Sequence, residues 1–331
     1  MPDPIGLRIA GSGHFLPERV YDNAHFESYL DTSDAWIRER TGIRTRHIAG
    51  EGESTATMAV AAARAALEDA KLKPTDLDLI IVATITPEHV FPSTACCVAR
   101  QLGLTSTPAF DLAATCSGFI YATVTAAHLT RGKTYRTILV IGAETMSRIT
   151  DYQDRSSCIL FGDGAGAVVL NALPDATGPA LLHHRIHADG HGHESLWVPA
   201  GGSCLPASQM TVNERLHYVK MQGREVFKQA VSTLRQVVEG TLSEAGVTSD
   251  DVALLISHQS NIRIMEAARA KLGIPLEKMY VNIDRIGNTS AASIPIALDE
   301  ARRGGHVRGG DLVMFVAFGA GFTWGSMLWR M

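Results

Sequence analysis

At 331 residues, with 46% hydrophobic and 19% charged side chains and a formal net charge of -4, the chain has the composition of a globular protein large enough for two domains. The slightly acidic balance excludes a nucleic-acid binder held by charge, no apolar stretch reaches the ~18 residues of a membrane helix, and the start Met1-Pro2-Asp3-Pro4 lacks a basic segment followed by an apolar core, so export is not expected. The five cysteines (96, 97, 116, 158 and 204) are odd in number and form no CxxC pair, which predicts free thiols in a reducing cytoplasm rather than a disulfide framework.

The first patterned segment ends a helix at Leu67-Glu68-Asp69-Ala70 and, after Asp76, runs into the apolar strand Leu79-Ile80-Ile81-Val82. A second apolar run, from Pro108 to Ala114, gives way to the helical pattern Ser117 to Ala122, with Cys116 at the junction. Helix starts carry unpaired N–H groups and about half a positive charge, so a thiol there loses its proton more easily and becomes a nucleophile. A small buried hydrophobe is the other reading of a free cysteine. The helix reaches Arg131-Gly132 and leads into the strand Thr137 to Gly142. Leu173-Pro174-Asp175 then interrupts the pattern and divides the chain into 1–174 and 175–331. His187, His191 and His193 follow in a glycine-marked turn, without the cysteines or carboxylates at ligand spacing, Glu194 apart, that a metal site needs.

In the second half, Leu242-Ser243-Glu244-Ala245, Asp251 and the strand Val252 to Ser257 repeat a helix end, an acid and a strand at the spacing of the first. His258 follows that strand, in register with Ala83. A further helix runs from Asn288 to Arg303-Gly304 and into the strand Leu312 to Ala317, and the Cys116-to-Gly132 and Asn288-to-Gly304 spacings are equal. Two ordered matches predict a duplicated α/β fold in which Cys116 and Asn288 begin equivalent helices. Ligands of α/β sheets gather at strand ends and helix N-termini, so halves packed about a pseudo-two-fold axis bring Cys116, His258 and Asn288 together. Singly, His258 also reads as a satisfied buried residue and Asn288 as a helix cap. Jointly the three suit thioester chemistry, in which a thiolate takes an acyl group and two neutral donors stabilise an enolate oxygen formed by decarboxylation. The glycine-rich turn Phe318-Gly319-Ala320-Gly321-Phe322 is a tight hairpin that can also bring a backbone N–H to a reacting carbonyl.

Around these residues the motifs Asp31-Thr32-Ser33-Asp34-Ala35-Trp36-Ile37, Arg40-Thr41-Gly42-Ile43-Arg44, Phe91-Pro92-Ser93, Phe161-Gly162-Asp163-Gly164-Ala165-Gly166, Gly287-Asn288-Thr289-Ser290-Ala291-Ala292 and Phe322-Thr323-Trp324-Gly325 occur in order. Together, nearly end to end, they resemble the β-ketoacyl-acyl-carrier-protein synthase III family of thiolase-fold condensing enzymes. The resemblance implies two thiolase-like α/β halves packed in five layers, α-β-α-β-α. It implies that Cys116 is acylated by an acyl-CoA, acetyl-CoA by default, with the backbone N–H groups of Cys116 and Ala320 as oxyanion hole. His258 and Asn288 would then hold the thioester oxygen of malonyl-acyl carrier protein while carbon dioxide departs. The carbanion attacks the acyl group and gives a β-ketoacyl-acyl carrier protein, the first condensation of type II fatty acid synthesis. No metal or redox cofactor is implied.

Carried over position by position, Trp36 and Arg155 resemble the pair that sandwiches the adenine of CoA, with Thr32, Arg40, Gly223, Phe227 and Asn261 lining the rest. Phe91 resembles the residue that crosses a dimer interface to close the partner's acyl pocket, which implies a homodimer. Lys228, Arg263 and Lys271 resemble the basic patch that receives the acidic carrier protein, extended by Arg224 and Arg269; a solvated helix face is the other reading. Thr115, Ser117, Ser156 and Ser260 depart from the commonest pattern, all with small side chains, and the segment from Gly190 to Pro206 adds a shape the sequence does not specify. The nearest alternative is a related enzyme of polyketide or other specialised synthesis. A Cys-His-Asn hydrolase shares the chain order of the three residues but not a Cys-Gly-Ser-Cys-Trp context, and an inactive partner subunit would be expected to lose the nucleophile.

Overall fold

Successive residues of a strand point to opposite faces, and in this chain both faces are apolar, so each strand feeds two cores. The computed structural model describes residues 3–331. Its main sheet has nine strands: β1 (Ile5–Phe15), β2 (Leu79–Ala83), β3 (Ala109–Leu112), β4 (Thr137–Thr145), β5 (Asp163–Ala172), β6 (Ala180–Ala188), β7 (Leu254–Ser257), β8 (Leu312–Gly319) and β9 (Thr323–Arg330). They lie in the order β7-β8-β9-β6-β1-β5-β4-β2-β3. The principal helices are α1 (Thr55–Ala70), α2 (Thr94–Gln101), α3 (Gly118–Arg131), α4 (Gly223–Ala245), α5 (Ile262–Lys271) and α6 (Ser293–Arg303).

Leu79 and Ile81 of β2, Ile138 and Val140 of β4, Ile256 of β7 and Phe315 of β8 share one core with Phe119 and Ile120 of α3 and Ile294 and Leu298 of α6. The alternate residues Ile80, Val82, Leu139 and Ile141 pack instead on Met58 and Ala62 of α1 and Val98 of α2. Leu255, Met314 and Val316 do the same against Leu234 and Val238 of α4 and Ile264 of α5. The result is the expected five layers, with α3 and α6 in the middle. Each fully buried Leu, Ile or Phe contributes about 1.5–3 kcal/mol, and because the middle core draws from both halves, neither half has a complete interior of its own. The expected division at residue 174 falls in the loop between β5 and β6, and the half-sheets join where β1 meets β6 at Ile5↔Leu181 and Gly6↔Ala180.

The ladders give the register of the duplication. Leu79 pairs with Ile138 and Ala83 with Gly142 in one half, and Leu254 with Val313 and Ser257 with Val316 in the other. The same displacement relates Ala83 to His258, and it relates the left-handed residues Thr115 (φ 46°) and Ser290 (φ 49°). Cys116 therefore corresponds to Ala291, and Asn288 to Ala113. The expectation that Cys116 and Asn288 open equivalent helices is corrected by three positions. The spacings to Gly132 and Gly304 are equal because α3 has 14 residues and α6 has 11, so the shorter helix conceals the earlier position of Asn288.

Candidate active site

Cys116 sits in the 3-10 turn Thr115–Ser117 that leads into α3. The end of β8 is pressed against this turn so closely that a Cβ on Gly319 would lie 2.9 Å from Cys116 N, so only glycine fits there. Thr115 and Ser117, two of the departures from the common pattern, hold the β8–β9 hairpin to the same turn. Thr115 Oγ1 donates to Ala320 O at 3.0 Å and Ser117 Oγ to Thr323 O at 3.0 Å. Ala320 is thereby fixed beside the thiol.

Two cavities meet at Cys116. One, of about 300 Å³, is lined by Cys116, His258, Asn288 and Gly319 at its inner end and by Trp36, Arg40, Gly223, Phe227 and Asn261 further out. The structure thus brings together the three residues singled out from the sequence. The other, of about 460 Å³, is walled by Ile85, Met146, Ile149, Phe161, Leu196, Trp197 and Val198, with Ala320 and Ser290 near the sulfur. The resemblance implied an acyl pocket, but none of these residues was read from the sequence as its wall. Part of its wall is the segment whose shape the sequence left unspecified, where Leu196–Trp197 pairs with Lys220–Met221.

The buried ring of His258 has its Nδ1 2.6 Å from Ser293 Oγ, and burial lowers its pKa to about 3. The ring is therefore neutral at ordinary pH. Asn288 is clamped through its backbone, its N–H donating to Leu160 O at 2.9 Å and its carbonyl accepting from Gly162 N at 3.0 Å. Its Oδ1 accepts the Ser290 N–H at 2.9 Å, which leaves the side-chain NH₂ for the cavity. Both residues are neutral donors in form, as an enolate site requires.

The thiol departs from expectation. Cys116 keeps some exposure along the cavities, yet its sulfur is enclosed by protein, and burial pushes the pKa up to about 12 despite the Ser290 hydroxyl, which favours the thiolate. Desolvation outweighs the helix start, and the nearby carboxylate of Glu144 adds to it. Glu144 was not read from the sequence. It is fully buried at the end of β4, and burial raises its carboxyl to about 7. A lone acid in the otherwise apolar strand Thr137–Thr145 was the available signal.

At the outer end, Trp36 and Arg40 stand on the helix Asp34–Thr41, whose N-cap is Ser33. The guanidinium of Arg155 lies 4.5 Å from the centre of the Trp36 ring. That is direct contact, so the expected adenine slot between the two is closed, and Arg155 must swing aside for a third planar group to enter. Thr32 and Arg155 are not among the residues lining the cavity. Asn261 lines the channel and is held there by two bonds: it caps α5 by accepting the Arg263 N–H at 2.9 Å, and its side-chain NH₂ donates to Arg40 O at 3.0 Å.

Lys228 on α4 and Arg263 and Lys271 on α5 are exposed, as is Arg224, and Arg263 lies 5.9 Å from the Phe227 ring. Arg269 does not extend this face freely, since its guanidinium donates to Ile274 O at 2.6 Å and closes the end of its own helix. Phe91 is 84% exposed and does not line the second cavity of its own chain. His187 stacks on Trp324 and His191 bonds Asp189. Among the described residues no cluster of three His, Cys, Asp or Glu side chains is placed to hold a metal, and no helix is long and apolar enough to cross a membrane.

The five-layered duplicated fold with a Cys-His-Asn cavity defines a class, the thiolase-fold condensing enzymes, which are acyltransferases. Residues 110–190 match the family model described as 3-oxoacyl-[acyl-carrier-protein] synthase III, and residues 242–331 match its C-terminal model. The chain is 51% identical over 325 residues to the β-ketoacyl-[acyl-carrier-protein] synthase III of Sinorhizobium medicae, covering 97% of this chain and 98% of that one. It is 49% identical over 326 residues, 98% of each, to the synthase III of Caldanaerobacter subterraneus subsp. tengcongensis. The crystal structure of 3-oxoacyl-[acyl-carrier-protein] synthase III from Aquifex aeolicus matches with a TM-score of 0.91 at 46% identity, over 98% of this chain and all of that one. The priming β-ketosynthase of the R1128 polyketide pathway matches at 0.89 and 33%, over 100% of this chain and 98% of its own. The chain belongs to the β-ketoacyl-[acyl-carrier-protein] synthase III family.

Proposed function

We propose that Cys116 takes an acyl group from acyl-CoA, acetyl-CoA by default, and passes it to the carbanion of malonyl-acyl carrier protein. The observation that carries this reading is the meeting of Cys116, His258 and Asn288 where a channel and an apolar cavity join. The channel suits a pantetheine arm, and the cavity suits an acyl chain. Sulfur attacks the thioester carbon, the oxyanion takes N–H bonds from Cys116 and Ala320, and CoA leaves. Malonyl-acyl carrier protein then enters by the same channel, its carrier resting on Lys228, Arg263 and Lys271. As carbon dioxide departs, the enolate oxygen is held by the Asn288 NH₂ and by His258 Nε2, which carries the ring proton when Nδ1 accepts from Ser293. The carbanion attacks the acyl carbon and Cys116 is released.

No metal or redox cofactor enters this scheme. The exposed Val90 and Phe91 suit a homodimer in which Phe91 closes the partner's acyl cavity, and the cytoplasm is the compartment that supplies these substrates. Incubation with acetyl-CoA is expected to add an acetyl mass to the peptide containing Cys116, and malonyl-acyl carrier protein to discharge it with loss of carbon dioxide. An unmodified Cys116 across a panel of acyl-CoAs defeats the reading. The same panel separates fatty acid initiation from a specialised pathway by the primer it accepts.

A further inference from the structure

Acylation requires the Cys116 proton to go somewhere, and neither partner already named is suited to take it. His258 is a very weak base in its dry pocket, and Asn288 has committed Oδ1 to the Ser290 N–H. On the other side of the thiol, Ser290 lines the same cavity as Cys116, and its hydroxyl donates to Glu144 Oε1 at 3.0 Å.

The setting of Glu144 favours a carboxylate that can accept one more proton. Its Oε2 receives the Ile85 and Thr86 backbone N–H groups and the Thr84 hydroxyl, each at 3.1 Å, and the Thr86 hydroxyl at 2.6 Å. The two N–H groups can only donate, and Thr86 Oγ1 already accepts from Thr145 N at 2.8 Å, so its own proton is directed to Glu144. Ser290 holds a left-handed backbone conformation, φ 49°, which costs a non-glycine residue about 1 kcal/mol or more. With its proton directed at the carboxylate, the Ser290 oxygen is left as an acceptor at the cavity it shares with Cys116.

We propose that Ser290 and Glu144 form a proton relay for the acylation of Cys116, an inference that rests on Cys116 being the acylated nucleophile. The thiol proton passes to Ser290 Oγ as the Ser290 hydroxyl proton passes to Glu144 Oε1, leaving a thiolate and a neutral carboxylic acid. The thiolate forms its bond to the acyl carbon, and the bond to the CoA sulfur breaks with its electron pair. The proton then returns along the relay to that sulfur, so that acyl-enzyme, CoA thiol and ionised Glu144 result. In this relay Ser290 takes the thiol proton and is the catalytic member; Glu144 acts through it as a positioning residue. The hydrogen-bond partners of Glu144 are all neutral, the Cys116 thiol is the titratable group facing it, and His258 lies across the cavity. The elevated carboxyl, about 7, puts the proton acceptor near working pH, where general-base catalysis is most effective.

The test is single-turnover acetylation of Cys116 by acetyl-CoA from about pH 5.5 to about pH 9, in the wild type and in Ser290→Gly and Glu144→Gln variants, with decarboxylation of malonyl-acyl carrier protein measured on the same samples. Ser290→Gly suits the left-handed backbone and keeps the N–H to Asn288, so it remains usable where Glu144→Gln folds poorly. The wild-type rate is expected to rise through an inflection near pH 7 set by Glu144. In the variants acetylation falls roughly 10²-fold, at least tenfold further than decarboxylation, and the inflection disappears because the thiol ionises alone. A Ser290→Gly protein with the wild-type rate and inflection overturns the relay, as does an equal loss of both half-reactions, which assigns Ser290 a structural role. A wild type that takes no acetyl on Cys116 brings down the parent reading instead.

Discussion

In the first half, β2 ends at Ala83 and the equivalent helix head reads Ala113-Ala114-Thr115-Cys116; in the second, β7 ends at Ser257-His258 and the head reads Asn288-Thr289-Ser290-Ala291. At each of the three matched places where one copy carries Cys116, His258 or Asn288, the other carries alanine. The backbone, by contrast, is kept, since Thr115 and Ser290 share the same left-handed turn. The small residues have their own use. A Cβ on Gly118 would come 3.2 Å from Ala83 Cβ and 3.4 Å from Ala291 Cβ, so these positions let the two helix heads approach across the seam. Duplication supplied two facing strand ends and two facing helix heads, and the three residues that meet in the cavity lie where the copies diverged.

The strongest way to break that comparison is to move the nucleophile. Cys116→Ala is expected to abolish acetyl transfer, by roughly 10⁴-fold or more, and adding Ala291→Cys is expected to restore none of it. Mass measurement of the two peptides decides this; acetyl on the thiol introduced at position 291 would show the halves to be interchangeable. Next in size are His258→Ala and Asn288→Ala. Each is expected to leave Cys116 able to take acetyl from acetyl-CoA while decarboxylation of malonyl-acyl carrier protein falls roughly 10²- to 10³-fold. Equal loss of both steps would remove the division of labour between the halves.

Gly319 sharpens the comparison from the hairpin side. Gly319→Ala sets a methyl group against Cys116 N, a backbone atom with nowhere to go. Acetylation is expected to fall at least tenfold, about 1.4 kcal/mol, with circular dichroism unchanged. At Gly142 the obstructing atom is the carbonyl oxygen of Ala291 across the seam. Gly142→Ala should therefore appear first as lost stability, about 1–3 kcal/mol, measured by denaturant unfolding.

The parts of this arrangement that the sequence reveals are those with a repeat or a motif behind them. Apolar strands alternating with helices pointed to the layers, and the spacing of matched segments led to His258 in register with Ala83. Asn288, by contrast, was paired with Cys116 through an equal spacing that the structure corrects by three positions. The three-position offset was hidden because α6 loses its length at the far end, where a glycine stop looks the same in both copies. The wall of the apolar cavity was invisible because it is assembled from segments as distant as Ile85 and Val219, with no local period to reveal it. The thiol was misjudged for a related reason: a helix start can be read along the chain, but depth of burial cannot. Glu144 lay in plain view within an apolar strand, yet only the folded chain shows that Ser290, from the other half, reaches it.

The smallest expected effects separate the two ends of the substrate. At the outer end of the channel Trp36 and Arg40, with Arg155 on the Trp36 ring, come from the first half, whereas the exposed cations Lys228, Arg263 and Lys271 belong to the second. A guanidinium stacked on an aromatic ring contributes about 0.5–2 kcal/mol. Arg155→Ala is therefore expected to raise KM for acetyl-CoA roughly three- to tenfold while leaving KM for malonyl-acyl carrier protein nearly unchanged. Arg263→Ala should do the reverse, raising KM for the carrier substrate roughly two- to fivefold, with the difference shrinking as salt is added because exposed charges are screened. Steady-state kinetics on both substrates at two ionic strengths measures the four values. Arg155 now lies on the Trp36 ring, so removing it opens the slot as well as removing a partner. A fall in KM for acetyl-CoA would mean that displacing the arginine costs more than stacking on it returns, and the closed slot would then act as a barrier to CoA rather than a grip on it.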